Sequence, residues 1–409
     1  MGNYVKFFST AAALFGSLLA GAGVQEAPEK YWDFAKLSNP PKYKEVNYPD
    51  SAAPGFKSII IEGVPYQQRP SGVNAVEWKT LKGTPSQMFA YIGFPSTPMP
   101  KGGYPGIVLV HGGGGTAFAN YAKQWVDRGY AVIVPDWYSC RPLVKPIKEK
   151  KIVKGKEKIS VINKVPLDGI KTFRYQLPET AANLVLAHSL LRSLPNVNPD
   201  RTIYIGLSWG SWYGSMVAAI DPRFKGCIEI YCGDRNPRTD WRALTDGRFL
   251  HAAKIPMFWV TSTHDQNVTM QSLQRGFDEC ANIVNKNFVV NLPHSHIGFT
   301  FDSCARMAAY FLKGEKMLPK LGKITVKDGI ASTDILYHGK GITKTVFCYT
   351  TDRKIAKQHL RKWHTIPAEM KGDKLSVKLP ADLYIGFFSA YDQKSRFNDC
   401  CGSSDIIVK

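Results

Sequence analysis

Acidic residues are scarce in this chain: 33 Asp and Glu stand against 53 Lys and Arg over 409 residues, a formal net charge of +20. Also lacking is an apolar run long enough to span a bilayer, which takes roughly 20 residues; the N-terminal stretch Phe7 to Ala20 falls short of it. No Cys/His spacing resembles a zinc site, so no metal or other cofactor is expected. The glycine-rich segment beginning at His111 lacks the Lys-Ser/Thr that follows a phosphate-binding loop, and no DNA- or RNA-binding module is recognisable. The basic charge therefore does not read as a nucleic-acid footprint.

What is present begins at the N-terminus. Lys6, the apolar run behind it and the small triplet Ala20-Gly21-Ala22 have the layout of a secretory signal peptide cut after Ala22. Residues 1–22 are expected to be removed and 23–57 to form an N-terminal extension, which makes the protein secreted or periplasmic and gives it no stable membrane insertion. Lys6 is the single charged group in that segment, so its loss lowers the net charge only from +20 to +19. In an exported protein such charge favours anionic polymers, an acidic or sulfated polysaccharide among them, or a membrane surface, through a long-range, salt-sensitive field. Eight cysteines permit disulfides there, with Cys348 to Cys400 or Cys401 as the preferred pair.

The stretches Ser58 to Ile61, Val76 to Lys79 and Met88 to Ile92 read as β-rich, antiparallel entry strands. After Pro105 the pattern changes. Short, almost wholly apolar runs (106–110, 131–134, 202–205, 227–231, 256–260 and 287–290) alternate with helical segments, which signals strands buried on both faces by crossover helices. The clearest helix starts at Pro178-Glu179 and keeps Ala182, Val185, Leu186 and Leu190 on one face. The expected fold class is α/β, a doubly wound and mostly parallel sheet over residues 58–314, followed by a small all-β, sandwich-like domain over 323–409. Residues 141–171 carry many lysines with little apolar periodicity and read as a basic insertion or lid.

Gly206-Leu207-Ser208-Trp209-Gly210 follows an apolar strand and precedes a helical stretch. Small residues there permit the sharp strand-to-helix turn that holds a serine hydroxyl above a sheet. His111 and the four glycines after it also follow a strand, where a bare backbone can turn its N–H groups inward toward a developing oxyanion. The donors expected are Trp209 and either Gly113 or Gly114. Asp265 lies just beyond the run 256–260, placed to orient a histidine. Leu292-Pro293-His294-Ser295-His296 offers two bases, of which His296 is favoured because it stands further clear of the strand, with His294 as the alternative. Trp137, Tyr231 and His111 fall at carboxyl ends of strands, where substrate contacts are expected. His188 reads as structural.

The order Ser208, Asp265, histidine is that of α/β-hydrolases. Residues 58–312 resemble the acetyl xylan esterase, cephalosporin C deacetylase and dienelactone hydrolase branch of that superfamily. The block Val110-His111-Gly112-Gly113-Gly114-Gly115-Thr116-Ala117-Phe118, then Arg128-Gly129-Tyr130-Ala131, then Ser208-Trp209-Gly210, looks like exported bacterial proteins of the acetyl xylan esterase type. Paired histidines (His294, His296) and a C-terminal β-domain with Tyr349-Thr350-Thr351-Asp352 and Trp363 match the same proteins. The resemblance implies a serine esterase acting on an ester, carbohydrate-borne by preference, through an acyl-enzyme. Two other readings stand beside it. One is a peptidase of the prolyl-oligopeptidase type, against which the length argues; the other is a carbohydrate-binding protein with a vestigial hydrolase part.

Overall fold

The structure, a computed structural model, describes residues 27–67, 69, 73–153, 156–167, 177–232 and 248–409. The expected signal peptide lies outside them. Strands β1 (Tyr43–Glu45), β2 (Phe56–Pro65) and β3 (Pro85–Gly93) pair antiparallel and open one nine-stranded sheet. Its parallel part consists of β4 (Tyr104–Val110), β5 (Ala131–Pro135), β8 (Val197–Leu207), β9 (Gly226–Ile230), β10 (Met257–His264) and β11 (Ile283–Pro293), in the spatial order β1-β2-β3-β5-β4-β8-β9-β10-β11. Strands β6 (Cys140–Val153) and β7 (Lys156–Pro166) pair only with each other.

The apolar runs form strands because both sheet faces are covered. In β4, Val108 and Val110 point into one core with helices α4 (Leu177–Ser193) and α5 (Trp209–Ile220), while Ile107 and Leu109 point into the other. That second core holds Trp125 of α3 (Ala119–Asp127) and Met307 and Leu312 of α7 (Asp302–Lys313). All four β4 residues are at most 1 % exposed, and each such burial stabilises by about 1.5–3 kcal/mol relative to exposure. Alternation of period two with apolar residues on both sides is what a parallel sheet under two helical layers demands.

One expectation is corrected here. Val76 to Lys79 is not a strand but part of a helix, Ala75–Leu81. The Asn74 side chain accepts from the N–H groups of Val76 and Glu77, and the Glu77 carboxylate accepts from Asn74 N, a reciprocal cap that outweighs the β propensity of Val and Trp. Within the basic segment, β6 and β7 make a long antiparallel hairpin, broken in register between Pro142 and Ile147, where Pro142 and Pro146 cannot donate to the ladder. Its period-two pattern is hidden because the strands are solvated, so polar and apolar residues do not segregate.

Beyond Gly314, which ends α7 in the left-handed region at φ +71°, two antiparallel sheets stack on a small core of Ala331, Phe347, Leu375 and Phe388. The inner sheet also joins the main core through Cys348, Trp363 and Phe387, and Phe387 packs on Phe288 of β11 at 4.8 Å. All eight cysteines are buried free thiols. The expected pairing of Cys348 with Cys400 or Cys401 is therefore corrected; Cys401 Sγ instead donates to Asn287 Oδ1 at 2.9 Å.

Candidate active site

Three strands deliver the site to one edge of the sheet. Ser208 sits between β8 and α5 at φ 55° and ψ −114°, a backbone state that costs a non-glycine residue on the order of 1–3 kcal/mol and persists only where the surroundings impose it. The flanking glycines are steric requirements. A Cβ on Gly206 would lie 2.4 Å from Gly210 O, and one on Gly210 would lie 2.2 Å from Val110 O. Ser208 N–H donates to Ile230 O at 2.7 Å, tying the turn to β9.

Asp265 follows β10 and is 1 % exposed. Its Oδ1 accepts from Asn267 N at 2.7 Å and Val268 N at 2.9 Å, which leaves Oδ2 for His294 Nδ1 at 2.8 Å. With Nδ1 donating to the carboxylate, the imidazole carries its lone pair on Nε2, the atom a serine proton requires. The ring leans on Tyr231, centroids 4.6 Å apart, and Tyr231 Oη donates to Pro293 O at 3.3 Å. Tyr231 itself has φ 59°.

The structure thus brings His294 to Asp265, and not His296, the histidine favoured from the sequence. Strand β11 runs on to Pro293 instead of stopping at Val290, so His294 is already at the sheet edge. His296 lies in the following short 3-10 helix, where its Nε2 accepts from Gly112 N at 3.3 Å and its ring packs on Phe118 at 4.8 Å. Burial, with His111, His294 and Lys164 nearby, pushes it down to about 3. It is a neutral acceptor that holds the glycine loop.

In that loop the two candidate glycines differ. Gly114 N–H donates to Tyr138 Oη at 3.3 Å and Gly115 N–H to Gly112 O at 3.1 Å. Gly113 N–H has no acceptor among the described residues, and a Cβ on Gly113 would come within 2.6 Å of Trp209 Cδ1. Gly113 thus adjoins Trp209, whose own N–H opens α5 at its positive end. Gly113→Ala should lower kcat by about a hundredfold, the effect of losing one oxyanion donor, because the methyl and the indole cannot both keep their places; an unchanged kcat would remove Gly113 from the site.

His111, Trp137 and Tyr231, expected as substrate contacts, are at most 4 % exposed in the structure. His111 Nδ1 donates to Gly112 O at 2.9 Å, and its ring stacks on Trp137, whose Nε1 donates to His111 O at 2.8 Å. Burial holds His111 below its ordinary pKa despite Asp136 beside it. These side chains brace the loop from beneath. Sequence reasoning missed Tyr138 and Lys164: the latter donates from Nζ to Gly115 O and lies 3.5 Å over the Tyr138 ring. It also missed Gln358, which reaches from the C-terminal part to accept from Met270 N at 2.8 Å and donate to Ser262 O at 3.4 Å, bracketing the Asp265 turn. Only the fold brings these three near the site.

A second hydroxyl, imidazole and carboxylate set shows what the first has gained. His188 bonds Asp221 Oδ2 and Thr202 Oγ1, each at 2.7 Å, but all three residues are 0 % exposed. No substrate reaches them, so the set is structural, as His188 was read to be. Burial pushes His188 down to about 4. In the unfolded chain it titrates near 6.5, so between those values the unfolded state binds more protons and stability falls as pH drops. His188 alone should cost on the order of 3 kcal/mol by pH 4, and His296 acts in the same direction. Urea unfolding at pH 7 and pH 4.5 checks this; a midpoint that holds or rises on acidification would contradict it.

A cavity of about 510 Å³ lies between β1, β2 and the root of the hairpin, lined by Tyr43, Ile60, Tyr66, Ser139 and Leu167 among others. It includes none of Ser208, Asp265 or His294.

A family model described as the alpha/beta hydrolase family matches residues 107–371. A search of curated proteins finds no match. Among solved structures the chain is similar to an acetyl xylan esterase from Paenibacillus sp. R4, with TM-score 0.48, 14 % identity, and 73 % of this chain and 99 % of that one covered. It is also similar to a putative dienelactone hydrolase from Klebsiella pneumoniae subsp. pneumoniae MGH 78578, with TM-score 0.40, 14 % identity and coverage of 62 % and 98 %. A third is acetyl xylan esterase 1 from Thermoanaerobacterium sp. JW/SL YS485, with TM-score 0.44, 13 % identity and coverage of 75 % and 98 %. At these values the likeness carries no substrate over to this chain.

Proposed function

Because the chain belongs to the alpha/beta hydrolase family, we propose that it is a serine-dependent carboxylic ester hydrolase, with Ser208 as nucleophile, His294 as base and Asp265 as the acid that orients it. The observation that carries this reading is the 2.8 Å contact of His294 Nδ1 with the buried Asp265, on loops leaving the same sheet edge as the Ser208 turn. His294 Nε2 takes the hydroxyl proton as Ser208 Oγ bonds to the ester carbon. The charge that moves to the carbonyl oxygen is received by Gly113 and Trp209 N–H. Collapse breaks the bond to the alcohol, which leaves with the proton held on His294. Water then attacks the acyl-serine, again with His294 as base, and releases the acid.

For the substrate we propose a short acyl ester of a carbohydrate, acetyl first, met outside the cytoplasm. The close approach of Gly113 to the Trp209 ring supports a small acyl group, because an indole walls the space beside the amides. The carbohydrate rests on the sequence resemblance, and the export on the N-terminal layout. The test is to supply p-nitrophenyl acetate, p-nitrophenyl octanoate and acetylated xylan, and separately to treat the protein with a fluorophosphonate. Acetate release together with one adduct on the Ser208 peptide is the expected result. Absence of both ends the esterase reading, and faster turnover of the octanoate overturns the acetyl part alone.

A further inference from the structure

Apart from Lys164 at its root, the hairpin β6–β7 has no role in the chemistry above, and it forms a sheet of its own with exposed apolar side chains. Between Cys140 and Pro166 the sequence holds nine Lys and Arg but only Glu149 and Glu157 as acids, and no aromatic residue. Cross-strand register places Lys148 opposite Val161, Lys150 opposite Ile159 and Ile152 opposite Glu157. Steps of two along each strand keep those six side chains on one face. On it Ile152 is 82 % exposed, Ile159 62 % and Val161 59 %, while Lys150 pairs with Glu157 at 2.9 Å in open solvent. Val144 and Ile147 are also exposed.

β-branched apolar side chains standing in water beside lysines are costly unless something covers them. Three occupants can be weighed by chemistry. A second copy of the chain would bring the same lysines face to face, and like charges opposite one another repel. An acidic polysaccharide would meet the charge but gains nothing from Ile152, Ile159 and Val161, since sugar recognition draws on aromatic faces and side-chain hydrogen bonds that this hairpin lacks. An anionic bilayer takes both: the ammonium groups meet lipid phosphates while the branched side chains enter the interface. We infer that the β6–β7 hairpin is a peripheral docking arm for an anionic lipid surface.

The root of the arm is fixed to the body. Arg141 pairs with Asp50 and donates from Nη1 to Ser51 Oγ at 2.9 Å. Near the other end of the root, Lys164 holds the glycine loop through Gly115 O. Docking by the tip therefore positions the body at the surface without asking the arm to fold on binding. The inference does not depend on what Ser208 does.

The experiment is co-sedimentation of the full chain with vesicles of phosphatidylcholine alone and of phosphatidylcholine with phosphatidylglycerol. It compares the protein with K148Q/K150Q and with I152S/I159S, each checked for an unchanged circular dichroism spectrum. The N-terminal apolar run is common to all three proteins, so differences report the hairpin. Binding to anionic vesicles should exceed binding to neutral ones by about tenfold, and each double variant should lower it by about fivefold or more. Equal binding by the protein and either variant overturns the inference. So does hairpin-dependent binding to polygalacturonate without binding to vesicles, or a hairpin-dependent dimer in analytical ultracentrifugation.

Discussion

Ser208→Ala should lower kcat for p-nitrophenyl acetate by about 10⁵-fold or more, the scale at which removal of a nucleophile costs as much as removal of its whole catalytic set. Ser211, the next hydroxyl along the chain, cannot substitute. One turn along α5, it is fully buried, and its Oγ lies 2.9 Å from Gly206 O and 2.8 Å from Ile230 O, either of which takes its single proton. Stability should respond in the opposite sense. Glycine tolerates the φ of 55° that serine is forced to hold, so Ser208→Gly should be equally inactive yet more stable by about 1 kcal/mol. Turnover surviving in either variant would dismiss Ser208 as nucleophile, and a loss of stability in the glycine variant would show that the turn is not strained.

The second large effect separates the two histidines. His294→Ala should lower kcat by about 10⁴-fold or more, since it removes the base that the Asp265 carboxylate orients, and Asp265→Asn should cost a similar factor by presenting the wrong tautomer. His296→Ala should cost no more than about a hundredfold, the worth of a disturbed oxyanion donor, because its part is to hold Gly112 N–H. It should also lower the melting temperature, as a half-buried ring packed on Phe118 is lost. Steady-state kinetics on the three variants decides the matter; if His296→Ala is the dead one, the assignment of base made from the Asp265 contact is wrong.

The histidines also show where sequence reasoning reaches its limit. Both lie within a few residues of a strand end, and the choice turned on where that strand stops. Apolar character fades after Val290, but the backbone ladder with β10 continues to Pro293. A hydrogen-bonded ladder extends past its apolar residues whenever a neighbouring strand offers partners, and no local pattern reports that. The helix at Ala75–Leu81 is the opposite case. Its signal, Asn74 with Glu77 three residues on, was legible and was outvoted by β-branched and aromatic neighbours.

What the sequence by itself determined is the part governed by short-range chemistry. Apolar runs buried on both faces specify a parallel sheet, two glycines around Ser208 specify a turn that nothing larger can make, and a carboxylate just past a strand specifies an orienting acid within reach of a histidine. Tertiary structure alone decided which histidine Asp265 meets, that His111, Trp137 and Tyr231 are buried supports, that Gly113 N–H has no acceptor among the described residues, and that the eight cysteines stand unpaired. These depend on distances between segments far apart in the chain, such as Tyr138 and Gly114 or Gln358 and Met270. Such distances follow from the packing of the whole molecule, where one contact excludes another, and that exclusion is not written at any single position.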